Sequence, residues 1–362
     1  MKNVAIITDI DFWRKGAGNR ARLDALVNYL KERTCLTIIF AGVEESEDLD
    51  VLNNTEKKYE LIYLERKRVL DKDEYVKRLV NVFQKYRPDV CIVEYLYLAF
   101  VRQFIPDNVL TILDTHDLTS ERRKTFEVFG YAHEPIDFYE EIRIFSSFHK
   151  TMLIQRNEFV KVAAHMDNDS VLLSPHPVEY SQQTLRKEVR KIGFVGSSFI
   201  PNIDGMKWFL EKVFPIFNAP VELHIYGQVS YQLYSYRNPN IFFHGLVDSV
   251  KPIYDEMDIM INPVRFGAGL KIKNIEALGN GLPLVTHSHG AAGMESQINK
   301  SFLTGDDPIS FLEQLNCLIE DRHKRVSLGN SAYSFIKENF SPSKCFGSLM
   351  EIINDSYAFN LG

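Results

Sequence analysis

The chain has 362 residues, enough for two domains at roughly 150 residues each, and 45% of it is apolar and 12% aromatic, which excludes a disordered chain. Lys and Arg total 42 against 48 Asp and Glu, a net charge of -6 with no basic block, which argues against a dedicated nucleic-acid binder. Cys35, Cys91, Cys317 and Cys345 are scattered without a Cys-x-x-Cys pair, so neither a disulfide framework nor a zinc knuckle is expected.

The first predicted strand is Val4 to Ile10; Asp9 and Asp11 break it too early for a signal peptide. A loop through Gly16 and Gly18 leads into a helix carrying Leu23, Leu26, Val27 and Leu30 at helical spacing. Strands follow at Leu36 to Ala41 and Leu61 to Leu64, then a charged helix over Asp73 to Tyr86, stopped by Arg87-Pro88-Asp89. Val90 to Glu94 and Val109 to Leu113 are buried strands. The apolar stretch Val90 to Val101 contains Glu94 and is about half a membrane span. Two polar-aromatic helices fill Leu118 to Lys150, and Thr151 to Ile154 and Val171 to Leu173 close the unit. Ser174-Pro175-His176-Pro177 is a stiff break, and a charged linker runs to Lys191.

The pattern then restarts. Strands are predicted at Lys191 to Val195, Val221 to Tyr226, Ile241 to Phe243, Ile259 to Asn262 and Leu284 to Thr286. Pro201-Asn202 opens a helix through Phe217. Leu270 to Gly279 is a second helix, with Gly281 and Pro283 as stop signals, and the rest is helical with a break at Ser341-Pro342. The alternation predicts an α/β chain of two doubly wound halves, which bind ligands at the carboxyl ends of their strands. The boundaries are 1–180, 190–342 and a terminal helical segment 343–362.

The segment from Ile259 to Val285 carries the clearest chemistry. In Arg265-Phe266-Gly267-Ala268-Gly269-Leu270-Lys271-Ile272-Lys273, the glycines let backbone approach a ligand at a helix start. N–H groups and the dipole there favour an anion such as a diphosphate, and Lys271 and Lys273 add charge. Glu276 lies within the first two turns, placed to accept hydrogen bonds from ribose hydroxyls; the plainer alternative is a favourable charge near a helix N-terminus.

This segment resembles the donor-nucleotide motif of glycosyltransferase family 4, the glycosyl transferases group 1 enzymes of GT-B fold. Phe194-Val195-Gly196-Ser197, Pro201-Asn202 and Trp208-Phe209-Leu210 look like the opening of that family's C-terminal domain. Phe243-His244-Gly245-Leu246-Val247 with Ile253-Tyr254 and Asp258 is similar to its base-holding loop. Gly16-x-Gly18-Asn19-Arg20 and Leu113-Asp114-Thr115-His116-Asp117 resemble its acceptor-side loop and active-site His.

The resemblance implies two Rossmann-like domains facing across a cleft, with the C-terminal helix, Cys345 to Phe359, crossing back to the first. It implies retaining, metal-independent transfer from a nucleotide-diphosphate sugar to a glycan or lipid-linked acceptor, with no cofactor. Gly18, Ser197, Asn202, Gly245, Val247, Arg265, Gly267, Ala268, Gly269, Lys273 and Glu276 are then donor-site candidates. His116 and Lys271 are catalytic candidates. Asp117 either orients His116 or the acceptor or caps the next helix; Asn19, Arg20 and Arg122 hold acceptor or phosphate, with a solvated helix-start position the alternative for Arg20. Many members carry Glu where Ala268 stands, eight residues before the ribose-binding Glu, which puts the usual sugar-hydroxyl contact in question.

Competing signals are weaker. Gly16-x-Gly18-x-x-Ala21 fits a dinucleotide fingerprint, but Asp11 to Lys15 separate it from the strand, against NAD binding. Asp9-x-Asp11 lies on the first strand, not on a metal loop, and His287-x-His289 has no third ligand nearby, so it reads as a loop bordering the donor site. Arg122-Arg123-Lys124 beside Phe126 and Phe129 leaves peripheral contact with an anionic membrane open. The expected location is the cytoplasm, at most at the inner membrane face. A nucleotide-sugar 2-epimerase and a non-catalytic nucleotide-sugar-binding partner in glycan assembly are the alternatives.

Overall fold

A computed structural model describes residues 1–14, 16–43, 58–65 and 72–356. The chain divides into two compact units: one of residues 1–14, 19–175 and 345–362, the other of 15–18 and 176–344.

The first unit is built on a seven-stranded parallel sheet, ordered β3-β2-β1-β4-β5-β6-β7. The strands are β1 (Asn3–Thr8), β2 (Cys35–Val43), β3 (Glu60–Glu65), β4 (Val90–Glu94), β5 (Leu110–Asp114), β6 (Lys150–Leu153) and β7 (Val171–Leu173). β4 and β5 are buried at every position because helices cover both faces, which is why they read as apolar runs without alternation. Ile7, Ile39, Val93, Leu113, Phe145 and Leu153 are among the core side chains. The strand order reverses between β1 and β4, so the carboxyl ends of β1, β4 and β5 flank a switch point where such sheets bind ligands.

The second unit repeats the plan with six parallel strands, ordered β10-β9-β8-β11-β12-β13. They are β8 (Lys191–Val195), β9 (Glu222–Tyr226), β10 (Ile241–Gly245), β11 (Ile259–Asn262), β12 (Leu284–Thr286) and β13 (Leu303–Thr304). Phe194, Phe209, Ile225, Ile261, Val285 and Phe311 form its core.

Local differences from the sequence reading have local causes. The helix expected from Pro201 to Phe217 begins at Ile200 and is regular only to Trp208; a π turn (Phe209–Val213) and a 3-10 turn (Phe214–Ile216) follow. Pro215 has no N–H to continue an α-helical ladder. The helix expected from Leu270 starts at Ile272, because Gly267 and Gly269 hold positive φ (115° and 71°) and keep the chain out of helix until Lys271. Its end is as expected, with Gly281 at φ 66° just beyond Asn280. β13, a 3-10 segment (Leu96–Phe104) and the helix Arg156–Ala163 are additional elements.

The last helix runs Pro342–Asp355, and residues 357–359 of its expected extent lie outside the described residues. Phe346 on it packs 5.3 Å from the Tyr29 ring, and Ser174 Oγ donates to the Cys345 carbonyl at 2.9 Å. Among the described residues, no helix is long and apolar enough to cross a membrane.

Candidate active site

In the first unit, charged side chains converge where β4 and β5 end. Glu94 and Asp114 are register partners at the last positions of these strands, and both are fully buried. Arg22 reaches them from the helix Gly18–Leu30, also fully buried, with Nε and Nη2 at 2.9 and 2.7 Å from Asp114 Oδ2. His116 follows β5, and its Nε2 lies 2.5 Å from Glu94 Oε2. Burial, then Asp114, push the Glu94 carboxyl above the usual carboxylate range, while His116 and Arg22 pull it back. Glu94 Oε1 and Asp114 Oδ1 are buried without a hydrogen-bond partner among the described residues.

The backbone here is strained. His116 has φ 59°, and Asp117 N–H closes on the Thr115 carbonyl at 2.7 Å, a three-residue turn of the rarer, positive-φ kind. Tyr95 has φ 67°, and its ring stacks on the His116 imidazole at 4.1 Å and 21°. Tyr97 stacks on Tyr95 at 5.1 Å and donates to Asp9 at 2.7 Å. Left-handed non-glycine residues of this kind cluster at functional sites, where packing holds the strain.

The ligand atoms of Glu94, Asp114 and His116 lie within 4.8 Å of one another, as a metal site requires. The cation beside them is Arg22: its guanidinium already neutralises Asp114, so a metal would face like charge.

The other first-unit candidates are paired. Asp117 takes both Nε (2.9 Å) and Nη2 of Arg122, and Leu118 rather than Asp117 occupies the cap position of the helix Thr119–Val128. The capping alternative for Asp117 is therefore set aside. Arg20 stands in the first turn of the helix Gly18–Leu30, partly exposed, and its Nε and Nη2 grip both Asp11 oxygens at 2.7 Å. Asn19 accepts from the Arg20 N–H at 2.9 Å. In the basic-aromatic patch, Arg123 pairs with Glu127 and Lys124 with Glu121, so each of its cations has an acidic neighbour.

In the second unit, the donor-motif residues surround the loop between β11 and the helix Ile272–Gly279. Lys271 Nζ donates to the carbonyls of Ala268 (3.0 Å) and Gly269 (3.3 Å). Lys273 Nζ donates to Asn202 Oδ1 at 2.5 Å and sits 4.4 Å over the Phe194 ring. Asn202 in turn donates to the Ser197 carbonyl at 3.1 Å, so Ser197, Asn202 and Lys273 form one connected group. Burial, with the neighbouring Lys271 charge, brings the Lys273 amine down to about 7. Glu276 accepts from the Tyr254 hydroxyl at 2.7 Å, and burial raises its carboxyl to about 7.

Arg265 does not join the two lysines. It pairs with Asp204 at 2.6 Å, and its guanidinium lies 5.7 Å from the Trp208 ring. Gly245 is at φ 69°; its carbonyl accepts from Gly227 N–H at 2.6 Å, which ties the base-loop candidate to the end of β9, and Val247 follows two residues on. Gly18 opens the helix Gly18–Leu30 of the first sheet's connections.

Several residues were not singled out from sequence. A buried amide network fixes the start of the helix Ile272–Gly279: Asn262 donates to Asn274 at 2.8 Å, Asn274 to the Gly290 carbonyl at 2.9 Å, and Thr286 Oγ1 to the Asn262 carbonyl at 3.0 Å. His289, which the sequence reading had placed in a loop bordering the donor site, is held neutral, at about 3, by burial and then by Lys271 and His287, and its Nε2 is buried without a partner among the described residues. Glu94, Arg22 and Tyr95 also belong here. The only signal for Glu94 is a carboxylate ending the apolar run Val90-Cys91-Ile92-Val93.

Comparison with known proteins agrees with this layout. Residues 189–321 match the family model described as "Glycosyl transferases group 1". An "Uncharacterized 44.6 kDa protein in cps region" of Klebsiella pneumoniae is 26% identical over 297 residues, 76% of each chain. Sucrose-phosphate synthase from Thermosynechococcus elongatus superposes with a TM-score of 0.78 at 12% identity, covering 99% of this chain and 100% of that one. Anabaena HepE in complex with UDP-glucose superposes with a TM-score of 0.70 at 12% identity, covering 97% and 99%. Residues 189–321 thus match the glycosyl transferases group 1 family model, within a chain of GT-B fold.

Proposed function

We propose that the protein is a glycosyltransferase that moves a sugar from a nucleotide-diphosphate sugar to a hydroxyl of a glycan or lipid-linked acceptor. The observation that carries this reading is the second-unit group of Lys271, Lys273 and Glu276 around a loop with two positive-φ glycines at a helix start. In this reading the helix-start amides and Lys271 take the diphosphate, and Lys273 adds charge when protonated. Departure of the nucleoside diphosphate as the C1–O bond breaks is stabilised by this fixed positive field, with no metal required. Glu276, oriented by Tyr254, holds the ribose. His116 of the first unit is the catalytic candidate, and attack on the same face as the leaving group retains the anomeric configuration. HepE has been captured with UDP-glucose, which makes a uridine donor the first to try.

The test is thermal unfolding with UDP-glucose, GDP-mannose, ADP-glucose and NAD, on wild type and Glu276→Ala. A ligand at about 100 times its Kd adds roughly 2.7 kcal/mol, a readable shift in Tm. Stabilisation of wild type but not of the variant by one nucleotide sugar supports the reading. Stabilisation by NAD alone, or by none, overturns it. Conversion of the bound donor without an acceptor would instead point to epimerase chemistry.

A further inference from the structure

The buried cluster at the ends of β4 and β5 poses a charge problem whose solution fixes what His116 presents to a ligand. Arg22 is one buried cation; Asp114 and Glu94 are two buried carboxyl groups, and His116 is the fourth ionisable member. Asp117 and Arg122 stand beside it as a separately balanced pair. Net charge in a water-excluded interior is costly, so the arrangement with zero net charge is favoured. With Arg22 cancelling Asp114, neutrality requires Glu94 and His116 together to be neutral.

Of the neutral placements, one with the carboxyl proton on Oε1 and Nε2–H donating to Oε2 buries an O–H without an acceptor, because Oε1 has no hydrogen-bond partner among the described residues, and two are left. Either Glu94 is protonated and donates to Nε2, or Glu94 is ionised and accepts from an imidazolium. In both, the second proton sits on Nδ1. The remaining arrangement, a carboxylate facing a neutral imidazole protonated at Nε2 alone, leaves a bare buried negative charge. The unpartnered Glu94 Oε1 and Asp114 Oδ1 would both add to the cost of that charge.

We propose that Glu94 is the positioning residue of His116: it holds Nε2, so that Nδ1 carries a proton and acts as a hydrogen-bond donor toward the ligand. Among the described residues, Nδ1 has no other hydrogen-bond partner. Stacking on Tyr95 at 4.1 Å fixes the ring plane, and the tight turn at His116 fixes its backbone, so the direction of the Nδ1–H bond is set before a ligand arrives. The ligand group that meets it must be an acceptor, such as a sugar hydroxyl oxygen or a phosphate oxygen. This inference rests on the sugar-transfer reading for its consequence, but the proton on Nδ1 is measurable without any transfer.

The experiment uses the full chain with 15N-labelled histidine, with the His116 signals assigned by their loss in His116→Gln. A directly bonded proton on His116 Nδ1 at pH 7 is expected; a bare Nδ1 overturns the proposal. In Glu94→Leu the Nδ1 proton signal should be lost to tautomer exchange. Its kcat should fall at least about tenfold with the donor KM little changed, as for other groups that orient a catalytic imidazole. Wild-type kcat in a folded Glu94→Leu enzyme would overturn it. A protonated Nδ1 in a protein with no transfer activity would leave the assignment standing and remove only the proposed function.

Discussion

Binding of a nucleotide-diphosphate sugar to the second unit should be accompanied by proton exchange that changes sign near pH 7. Burial holds Lys273 at about 7 instead of 10.5, and Glu276 at about 7 instead of 4.5. A diphosphate favours the charged amine, and ribose hydroxyls favour the ionised carboxylate. At pH 8 the amine is ~90% neutral and the carboxylate ~90% ionised, so binding takes up about 0.8 proton net. At pH 6 the amine is mostly charged and the carboxyl mostly protonated, so binding releases about 0.8 proton net. Affinity is therefore greatest near pH 7, and falls by up to about tenfold, ~1.4 kcal/mol, per pH unit on either side. In the unliganded chain the two shifts act oppositely. The raised Glu276 value gives stability that is full below about pH 4.5 and lost as pH rises through about 7. The lowered Lys273 value costs stability below about 7 and is relieved between there and 10.5.

The assay is titration calorimetry with UDP-glucose, or whichever nucleotide sugar stabilises the protein, since its diphosphate diester does not titrate in this range. Each pH is run in two buffers of different ionisation enthalpy, and the slope of heat against buffer enthalpy counts protons. Lys273→Met should abolish the uptake at pH 8 and leave the release at pH 6; Glu276→Gln should do the reverse. Proton exchange of one sign at both pH values, or none at either, refutes the reasoning.

Other consequences follow from single contacts. Arg22→Met leaves Asp114 buried and uncompensated and should cost about 3–5 kcal/mol in denaturant unfolding; a loss under about 1 kcal/mol would contradict the ion pair's burial. Tyr254→Phe removes the donor to Glu276 and should weaken nucleotide binding roughly 3- to 10-fold by calorimetry, in line with the ~0.5–1.5 kcal/mol net worth of a hydrogen bond. Gly227→Ala would place a Cβ 2.2 Å from the Gly196 carbonyl oxygen at a residue of φ 89°. It should destabilise the second unit by at least about 2 kcal/mol, measured by thermal unfolding.

The sequence by itself determined the fold class. All seven strands of the first sheet and five of the six in the second stand out as short apolar runs between turn signals, because strands covered on both faces need no polar side. β13 escaped because two residues, Leu303 and Thr304, are too few to show a pattern. The cluster of Gly267, Gly269, Lys271, Lys273 and Glu276 was equally visible, since these residues lie within one loop and one helix start.

What only tertiary structure decided is which charges are spent on one another. Nothing in the sequence pairs Arg265 with Asp204, 61 residues away, whose carboxylate holds its guanidinium. Arg20 and Arg22 look alike in sequence, yet two positions apart on a helix they point different ways. One grips Asp11 near the surface, and the other is buried on Asp114, 92 residues distant. Glu94 read as a charge that merely interrupts an apolar run; the parallel register of β4 and β5 sets it beside Asp114 and, just past the strand end, beside His116. Periodicity reports which side chains are buried within an element. The partner that makes a buried charge tolerable comes from another element, and only the packing of strands against helices brings the two together.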